Sequence, residues 1–315
     1  MGKPDIGFKT GIGFCLGFFY INNLYLSRIY FGIFMVNYNG TLTGSHQLIS
    51  INNRGFNYGD ALFETLRVSH GAIFFWEDHY FRLMASMRIL RMEIPMHFTM
   101  EYLQEQILET VQANGLQDRS VRVKLYVSRK EGGLYLPKTN DVDFMIVAAP
   151  LASDFYLLND NAYHVDLYKD FYVSPGLLST LKTNNKALHV VGSIYASENK
   201  LDNCLVLNTN KQVVEALNGN IFLVKDQVIK TPPLADGCLK GVMRKQLMEI
   251  IKQIPEYTLE EASISPFELQ KADELFVTNV IVGIQPVSNY RKKAYNNQVA
   301  KNLLQKLQVK IRLLA

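Results

Sequence analysis

The chain has little cysteine, no long apolar stretch and no large excess of one charge. Its 315 residues include only three cysteines, Cys15, Cys204 and Cys238, and their spacing is not that of metal ligands. A disulfide framework needs more cysteines in a shorter chain. The composition therefore indicates a reducing compartment and no metal centre, and we expect a cytoplasmic protein.

The charge balance and the apolar stretches argue against two further classes of partner. The chain has 33 Lys and Arg against 29 Asp and Glu, and no dense basic tract. Nucleic-acid binding is not favoured, because it depends on clustered positive charge. Residues 11–35 are largely apolar, but Asn22, Asn23 and Arg28 interrupt them. A membrane span needs about 20 apolar residues, so we expect no membrane partner.

The chain is 48% hydrophobic and 20% charged, which is a globular composition rather than a disordered one. We expect residues 1–34 to be an extension upstream of the normal start, because residues 35–40 look like an edge strand that opens into a turn. Residues 35–150 are predicted to form a small α+β domain. Residues 151–315 are predicted to form a larger α/β domain, after a linker around Pro150.

Apolar periodicity predicts the main helices and strands. In the first half it predicts strands at 61–68, 72–75, 121–127 and 144–148, and helices at 77–92 and 100–113. In the second half it predicts strands at 163–168, 204–208, 221–225, 228–231 and 274–278, and helices at 186–199, 242–253 and 297–314.

Two charged residues have sequence surroundings that suit catalysis. Lys182 lies in the segment STLKTNN, just before an amphipathic helical stretch. Glu215 lies in VVEALNGN, after a strand and a turn, and its apolar neighbours would exclude water and strengthen an ion pair. The ordinary alternatives are a solvated surface lysine and a strand-end glutamate. Neither residue is decisive without further segments.

Four further segments complete a pattern. They are RGFNYGDALFET at 54–65, DHYFRL at 78–83, LKGVMR at 239–244 and ADELFVTN at 272–279. Together with the Lys182 and Glu215 segments, and in this order, they resemble the class IV family of pyridoxal phosphate (PLP) enzymes, the D-amino-acid-transaminase-like enzymes. The resemblance runs from about Met35 to the C-terminus. It implies a two-domain α/β fold with the cofactor between the domains, a small amino substrate and a homodimer.

The resemblance also implies roles for individual residues. Lys182 would bind the cofactor covalently and move protons at the substrate, and Glu215 would keep the pyridine nitrogen protonated. The phosphate would be held by Arg82 and by two backbone segments, the helix start at Gly241, Val242 and Met243 and the loop at Thr278, Asn279 and Val280.

Two residues are predicted on the substrate side. Tyr58 would orient a carboxylate or assist proton transfer, with a core aromatic as the alternative. Arg129 would receive a substrate carboxylate, with an exposed hairpin as the alternative. We interpret Lys186 as exposed, and His79 and His189 as packed or surface residues.

Three details resemble the aminodeoxychorismate lyases of the family. Asn185 follows the lysine by three residues, with Ala187 where branched-chain aminotransferases carry a tyrosine; residues 241–243 read GVM; and residues 278–287 read TNVIVGIQPV. We therefore expect a lyase that converts 4-amino-4-deoxychorismate to p-aminobenzoate and pyruvate, a step of folate synthesis.

One detail differs from the lyases, because Leu134 replaces the arginine that many of them carry in a substrate loop. A dicarboxylate substrate would then need another cation, for which Arg129, Lys130 and Lys240 are candidates. The difference leaves open an aminotransferase acting on branched-chain or D-amino acids with 2-oxoglutarate. A noncatalytic homologue is a third possibility, and the presence of both Lys182 and Glu215 argues against it.

Overall fold

The computed structural model describes residues 34–44, 49–159 and 161–313. Met35–Ala315 form one compact unit. The predicted N-terminal extension at 1–34, apart from Phe34, lies outside the described residues, and so does Cys15. None of the described helices is long and apolar enough to cross a membrane.

The described residues up to Pro150 contribute one antiparallel sheet and two long helices. The elements are β1 (Val36–Tyr38), β2 (Thr41–Thr43), α1 (Arg54–Tyr58), β3 (Ala61–Ser69), β4 (Ala72–Ile73), α2 (Trp76–Ile89), α3 (Met100–Ala113), β5 (Ser120–Arg129) and β6 (Val142–Pro150). The strand order is β2-β1-β6-β5-β3-β4, and every neighbouring pair is antiparallel.

The described residues after Pro150 form two further sheets and their helices. The elements are β7 (His164–Val173), α4 (Ala187–Glu198), β8 (Asn203–Asn208), β9 (Val213–Ala216), β10 (Asn220–Lys225), β11 (Val228–Thr231), α5 (Val242–Lys252), β12 (Thr258–Glu261), α6 (Pro266–Lys271), β13 (Glu274–Asn279), β14 (Gly283–Pro286), β15 (Asn289–Tyr290), β16 (Lys293–Ala294) and α7 (Gln298–Arg312). The second sheet has the order β12-β11-β10-β13-β14, and the third β16-β15-β7-β8-β9.

The second and third sheets stack face to face between helices. In β10, Phe222 packs into a core shared with α5 and α7, whereas Leu223 packs into a core shared with β8. In β8, Leu205 faces the second sheet and Val206 faces a cluster that includes Ala196 of α4. Strands buried on both faces need apolar residues at every position, which explains the unbroken apolar runs in these strands.

In the first sheet, strand β5 instead has one buried face. Alternate residues of β5, such as Val123 and Leu125, are fully buried against α2 and α3. The residues between them, such as Arg122 and Lys124, point to the opposite face. This second face, with Phe63 and Thr65 of β3, turns toward the part of the molecule that contains Lys182.

Most predicted elements are present, with shifted ends. The helix predicted at 100–113 has the bounds of α3, where the Thr99 side chain accepts a hydrogen bond from the Tyr102 amide and caps the helix. The strand predicted at 72–75 ends at Ile73, because Phe75 takes a left-handed conformation (φ 56°) and begins α2. Strand β9, which contains Glu215, was not predicted.

Candidate active site

Lys182 lies between a short 3-10 helix, Leu177–Thr180, and α4. Backbone hydrogen bonds hold it against β3: the Phe63 amide donates to the Lys182 carbonyl at 2.9 Å, and the Asn184 amide donates to the Ala61 carbonyl at 3.0 Å. The Lys182 Nζ atom lies 4.4 Å from the centre of the Phe63 ring. Burial, and then the positive charge of Arg82, lower the pKa of Lys182 to about 7. A substantial fraction of the amine is therefore neutral near neutral pH.

Glu215 lies in β9, the edge strand of the third sheet, and only 6% of it is exposed. Both of its oxygens have a nearby donor. Oε2 accepts a hydrogen bond from the Leu239 amide at 2.9 Å, and Oε1 lies 3.2 Å from Nε2 of His189. The carboxylate is thus fixed in orientation at the edge of its sheet.

A cavity of about 500 Å³ brings these two residues together. It lies where the chain crosses from the third sheet to the second, at residues 217–219. All nine residues predicted to contact the cofactor line it: Lys182, Glu215, Arg82, Gly241, Val242, Met243, Thr278, Asn279 and Val280. Residues that are far apart in sequence therefore line one cavity.

Arg82 reaches this cavity as part of a buried charge cluster. Its Nε atom donates to Glu64 Oε1 at 2.8 Å, its Nη2 atom donates to the other Glu64 oxygen, and its Nη1 atom donates to the Lys240 carbonyl at 2.8 Å. His79 Nδ1 lies 2.7 Å from Glu64 Oε2. Burial alone would raise the pKa of Glu64, but Arg82 and His79 outweigh it and lower that pKa to about 2. The orientation of Arg82 is therefore set by Glu64.

The backbone around Gly241 approaches a neighbouring side chain closely. A Cβ atom on Gly241 would lie 1.9 Å from Oδ1 of Asn220. Asn220 cannot easily move, because its Nδ2 donates to the Leu239 carbonyl at 2.9 Å. Helix α5 therefore begins without a side-chain cap, and its first N–H groups lack intrahelical partners.

The loop between β13 and β14 is held by hydrogen bonds between its own side chains and its backbone. The Thr278 hydroxyl donates to the Gly283 carbonyl at 2.7 Å. Asn279 Oδ1 accepts from the amides of Ile281 and Val282, each at 3.0 Å. These bonds fix the shape of the loop that borders the cavity.

Tyr58 and Arg129 lie elsewhere, in a neighbouring cavity of about 600 Å³. Tyr58 ends α1 and is 42% exposed, so it is not a core aromatic. The two cavities share Lys186, His189 and Glu215 in their walls. The structure thus places the predicted substrate residues next to the predicted cofactor residues, but not among them.

The buried guanidinium of Arg129 makes four hydrogen bonds within the protein. Nε donates to Asp60 at 2.9 Å and Nη2 to the Leu90 carbonyl at 2.6 Å; Nη1 donates to the Arg91 carbonyl at 3.0 Å and to Asn140 Oδ1 at 2.5 Å. These contacts favour a framework role for Arg129 over the predicted role of receiving a substrate carboxylate.

The interpretation of Lys186 as exposed is wrong. Lys186 is half-buried, lines both cavities, and has a pKa lowered by burial. It occupies the cap position before α4, with φ −120° and ψ 19°. The helical periodicity that placed it on an exposed face therefore does not apply to it. His189 and Glu64 were also missed, because their importance depends on contacts between separate elements.

The cavity has features that suit PLP. It contains an amine of lowered pKa, a buried carboxylate and an uncapped helix start. His79, fully buried in the cavity wall, also has a ring nitrogen, Nε2, without a partner among the described residues. A buried polar atom of this kind usually marks a missing hydrogen-bond partner.

Comparisons with known proteins identify the family of this chain. The sequence pattern of the amino-transferase class IV family matches residues 61–290. A protein from Methanocaldococcus jannaschii, provisionally named a branched-chain-amino-acid aminotransferase, is 30% identical over 267 residues, which cover 84% of this chain and 90% of that protein. An aminodeoxychorismate lyase from Vibrio harveyi is 26% identical over 76% of this chain and 86% of that protein.

The fold also matches a solved structure. The branched-chain aminotransferase from Thermoproteus uzoniensis superposes with a TM-score of 0.78 at 24% identity, over 86% of this chain and 92% of that one. The predicted fold class, a mixed α/β PLP-enzyme fold, is confirmed. The chain belongs to the class IV aminotransferase family, whose members depend on PLP.

Proposed function

We propose that this protein is a PLP-dependent lyase that converts 4-amino-4-deoxychorismate to p-aminobenzoate and pyruvate. The observation that supports this most is that two of the three lyase-like segments line the cavity that contains Lys182. They are the 241–243 segment and the 278–282 part of the third segment. Asn185, from the first lyase-like segment, lines the neighbouring cavity. Ala187 stands where the aminotransferase tyrosine is expected.

The chain's own residues can provide each step. When bound, PLP supplies an electron sink for the carbon that loses a proton. Lys182 would hold the cofactor covalently and then, as a free amine, remove the proton from the amine-bearing carbon. Glu215 would keep the ring nitrogen protonated. Arg82 and the amides at 241–243 would hold the phosphate and so fix the position of the reacting carbon.

The products account for every atom of the substrate. Loss of the proton allows the C–O bond to the enolpyruvyl group to break, and the released group takes up a proton to become pyruvate. The remaining ring becomes aromatic, which favours the reaction. No second substrate is needed.

Two cations are available for the two carboxylates of this substrate. Lys186 lies in the wall of the cavity, and Arg122 lies in the wall that the first sheet provides. Neither side chain makes a hydrogen bond or an ion pair with any residue that the structure describes. They can take the place of the arginine that Leu134 replaces.

The test is to incubate the purified, PLP-loaded protein with 4-amino-4-deoxychorismate and no amino acceptor. We expect pyruvate and p-aminobenzoate to appear in equal amounts. A protein that binds PLP but releases neither product would overturn the lyase proposal.

A class IV aminotransferase is the second candidate. It is supported by the 30% identity to the Methanocaldococcus jannaschii protein and by Leu134. An aminotransferase would use the same proton removal by Lys182, but it would release a keto acid and pass the amino group to an acceptor. It would form more than one equivalent of keto acid per active site from branched-chain or D-amino acids only when 2-oxoglutarate is also present.

We further propose that the chain acts as a homodimer, as the resemblance implies. Helix α4 exposes Val190, Val191 and Ile194, each at least 42% exposed, and Leu177 and Leu178 of the preceding 3-10 helix are more than 60% exposed. Apolar side chains grouped on a surface in this way mark interaction sites.

Light scattering of the purified protein should therefore give twice the chain mass of 35.9 kDa. Ile194→Lys should shift the protein toward the monomer, because it places a charge in an apolar contact. Val309→Lys is the matched control, since Val309 is 58% exposed on α7. Equal behaviour of the two variants would show that α4 is not the contact.

A further inference from the structure

His189 contacts the carboxylate that is proposed to face the cofactor's ring nitrogen. It lies in the first turn of α4, and its Nε2 atom is 3.2 Å from Glu215 Oε1. The side chain of His189 is 21% exposed and that of Glu215 only 8%. The contact is therefore largely shielded from water. Hydrogen bonds to a charged group are strong in such surroundings.

The contact also determines which ring nitrogen of His189 carries the proton. An ionised carboxylate only accepts hydrogen bonds, so Nε2 must donate to Glu215. In the neutral ring Nδ1 is then an acceptor. Nδ1 is buried and has no partner within the described part of the chain, and the opposite tautomer would bury an unpaired N–H and set two lone pairs against each other.

Glu215 is the one carboxylate among the residues that line this cavity, whereas Lys182, Lys186 and Arg82 also line it.

We infer that His189 is a positioning residue for the reaction: together with the Leu239 amide, it fixes the Glu215 carboxylate toward the ring nitrogen of PLP and so keeps that nitrogen protonated. The inference rests on the role proposed for Glu215. With one donor on each oxygen, the plane of the carboxylate is fixed. With the Leu239 amide as its only donor, the carboxylate can rotate about that single hydrogen bond.

The test uses the full-length holoenzyme loaded with PLP labelled with nitrogen-15 in the ring. The NMR shift of that nitrogen reports its protonation directly and independently of turnover. His189→Leu should move the shift toward the unprotonated value and lower kcat about 10- to 100-fold, the effect of one hydrogen bond to a charged group. His189→Gln, which keeps an N–H donor, should recover most of both. Ser197→Ala, an exposed change on the same helix, should alter neither.

Glu215→Gln tests the proposed role of Glu215 separately from the role of His189. It should move the nitrogen shift at least as far as His189→Leu. If Glu215→Gln moves the shift and His189→Leu does not, the role of His189 is overturned while the role of Glu215 stands. If Glu215→Gln leaves the shift unchanged, the proposed role of Glu215 fails, and the inference about His189 fails with it.

Discussion

Replacing Lys182 with methionine is expected to abolish turnover and, at the same time, to stabilise the cofactor-free protein. Methionine has a similar length but no amine, so it can neither hold the cofactor nor move a proton. General acid–base catalysis alone contributes about 10²- to 10⁴-fold, and loss of the covalent link adds to this. We therefore expect kcat to fall by at least about 10³-fold.

The stability effect has the opposite sign, because the fold destabilises the charged form of Lys182. Its pKa falls from 10.5 to about 7 on folding. Between these two values the unfolded chain binds more protons, so stability of the wild type rises as the pH rises through this window. The destabilisation is complete below about pH 7 and absent above about pH 10.5. Methionine removes it at every pH.

Chemical denaturation of the cofactor-free proteins measures the difference. Each pKa unit corresponds to about 1.4 kcal/mol. Lys182 is only half-buried, so solvent screening reduces the destabilisation by its charge. We expect Lys182→Met to be more stable by about 2 to 4 kcal/mol at pH 7, with the gain shrinking toward pH 10. Lys301→Met, an exposed change on α7, serves as control. A Lys182 variant no more stable than this control would contradict the lowered pKa.

The sequence predicted the charged residues of the site better than it predicted their contacts. Lys182, Glu215 and Arg82 stand in short segments whose order along the chain identifies the family, and these segments meet at one cavity. Glu64 stands in the same segment as Tyr58, yet nothing in the sequence indicates that it binds Arg82. That contact depends on how β3 and α2 pack together.

Arg129 and Lys186 are two further residues whose surroundings the sequence does not predict. Arg129 follows an alternating strand and precedes two glycines, which suggests a free cation in a loop. In the structure its partners come from residues 60, 90, 91 and 140, none of which is adjacent to Arg129 in sequence. Lys186 was assigned to a helix face, but the helix begins one residue later. Periodicity predicts the side-chain direction only within an element.

The fold was more predictable where one face of an element is buried. The alternation in β5 and the spacing in α3 each define a buried side, so their positions follow from the pattern of apolar residues. Short strands such as β9, β15 and β16 have too few residues to show a period. Their positions depend on the strands beside them, which local sequence does not specify.

Replacing Glu64 with glutamine is expected to produce the largest loss of stability among these variants. Glu64 is 1% exposed, and it is the acidic partner of both Arg82 and His79. Glutamine keeps the shape but removes the charge, so the Arg82 guanidinium would be left buried without a counter-charge. Breaking a buried pair in this way costs about 3 to 5 kcal/mol.

The pH dependence supplies an independent check with a definite sign. The pKa of Glu64 falls from 4.5 to about 2 on folding. The ionised carboxylate therefore contributes stability that is fully present above about pH 4.5 and is lost as the pH falls through 2, because the unfolded chain binds more protons in that window. At about 1.4 kcal/mol per pKa unit, this contribution is about 3 kcal/mol.

Urea denaturation at pH 7 and at pH 4 distinguishes this charge cluster from simple packing. Wild type should lose stability more steeply than Glu64→Gln as the pH falls below 4.5, because only the wild type has a titrating carboxylate at position 64. Glu101→Gln, an exposed change in the first turn of α3, should behave as wild type at both pH values.

The Glu64 variant should also bind PLP more weakly than the control, since Arg82 loses the partner that orients it toward the cavity. If PLP affinity is unchanged while stability falls, Glu64 supports the fold but does not position Arg82 for the phosphate.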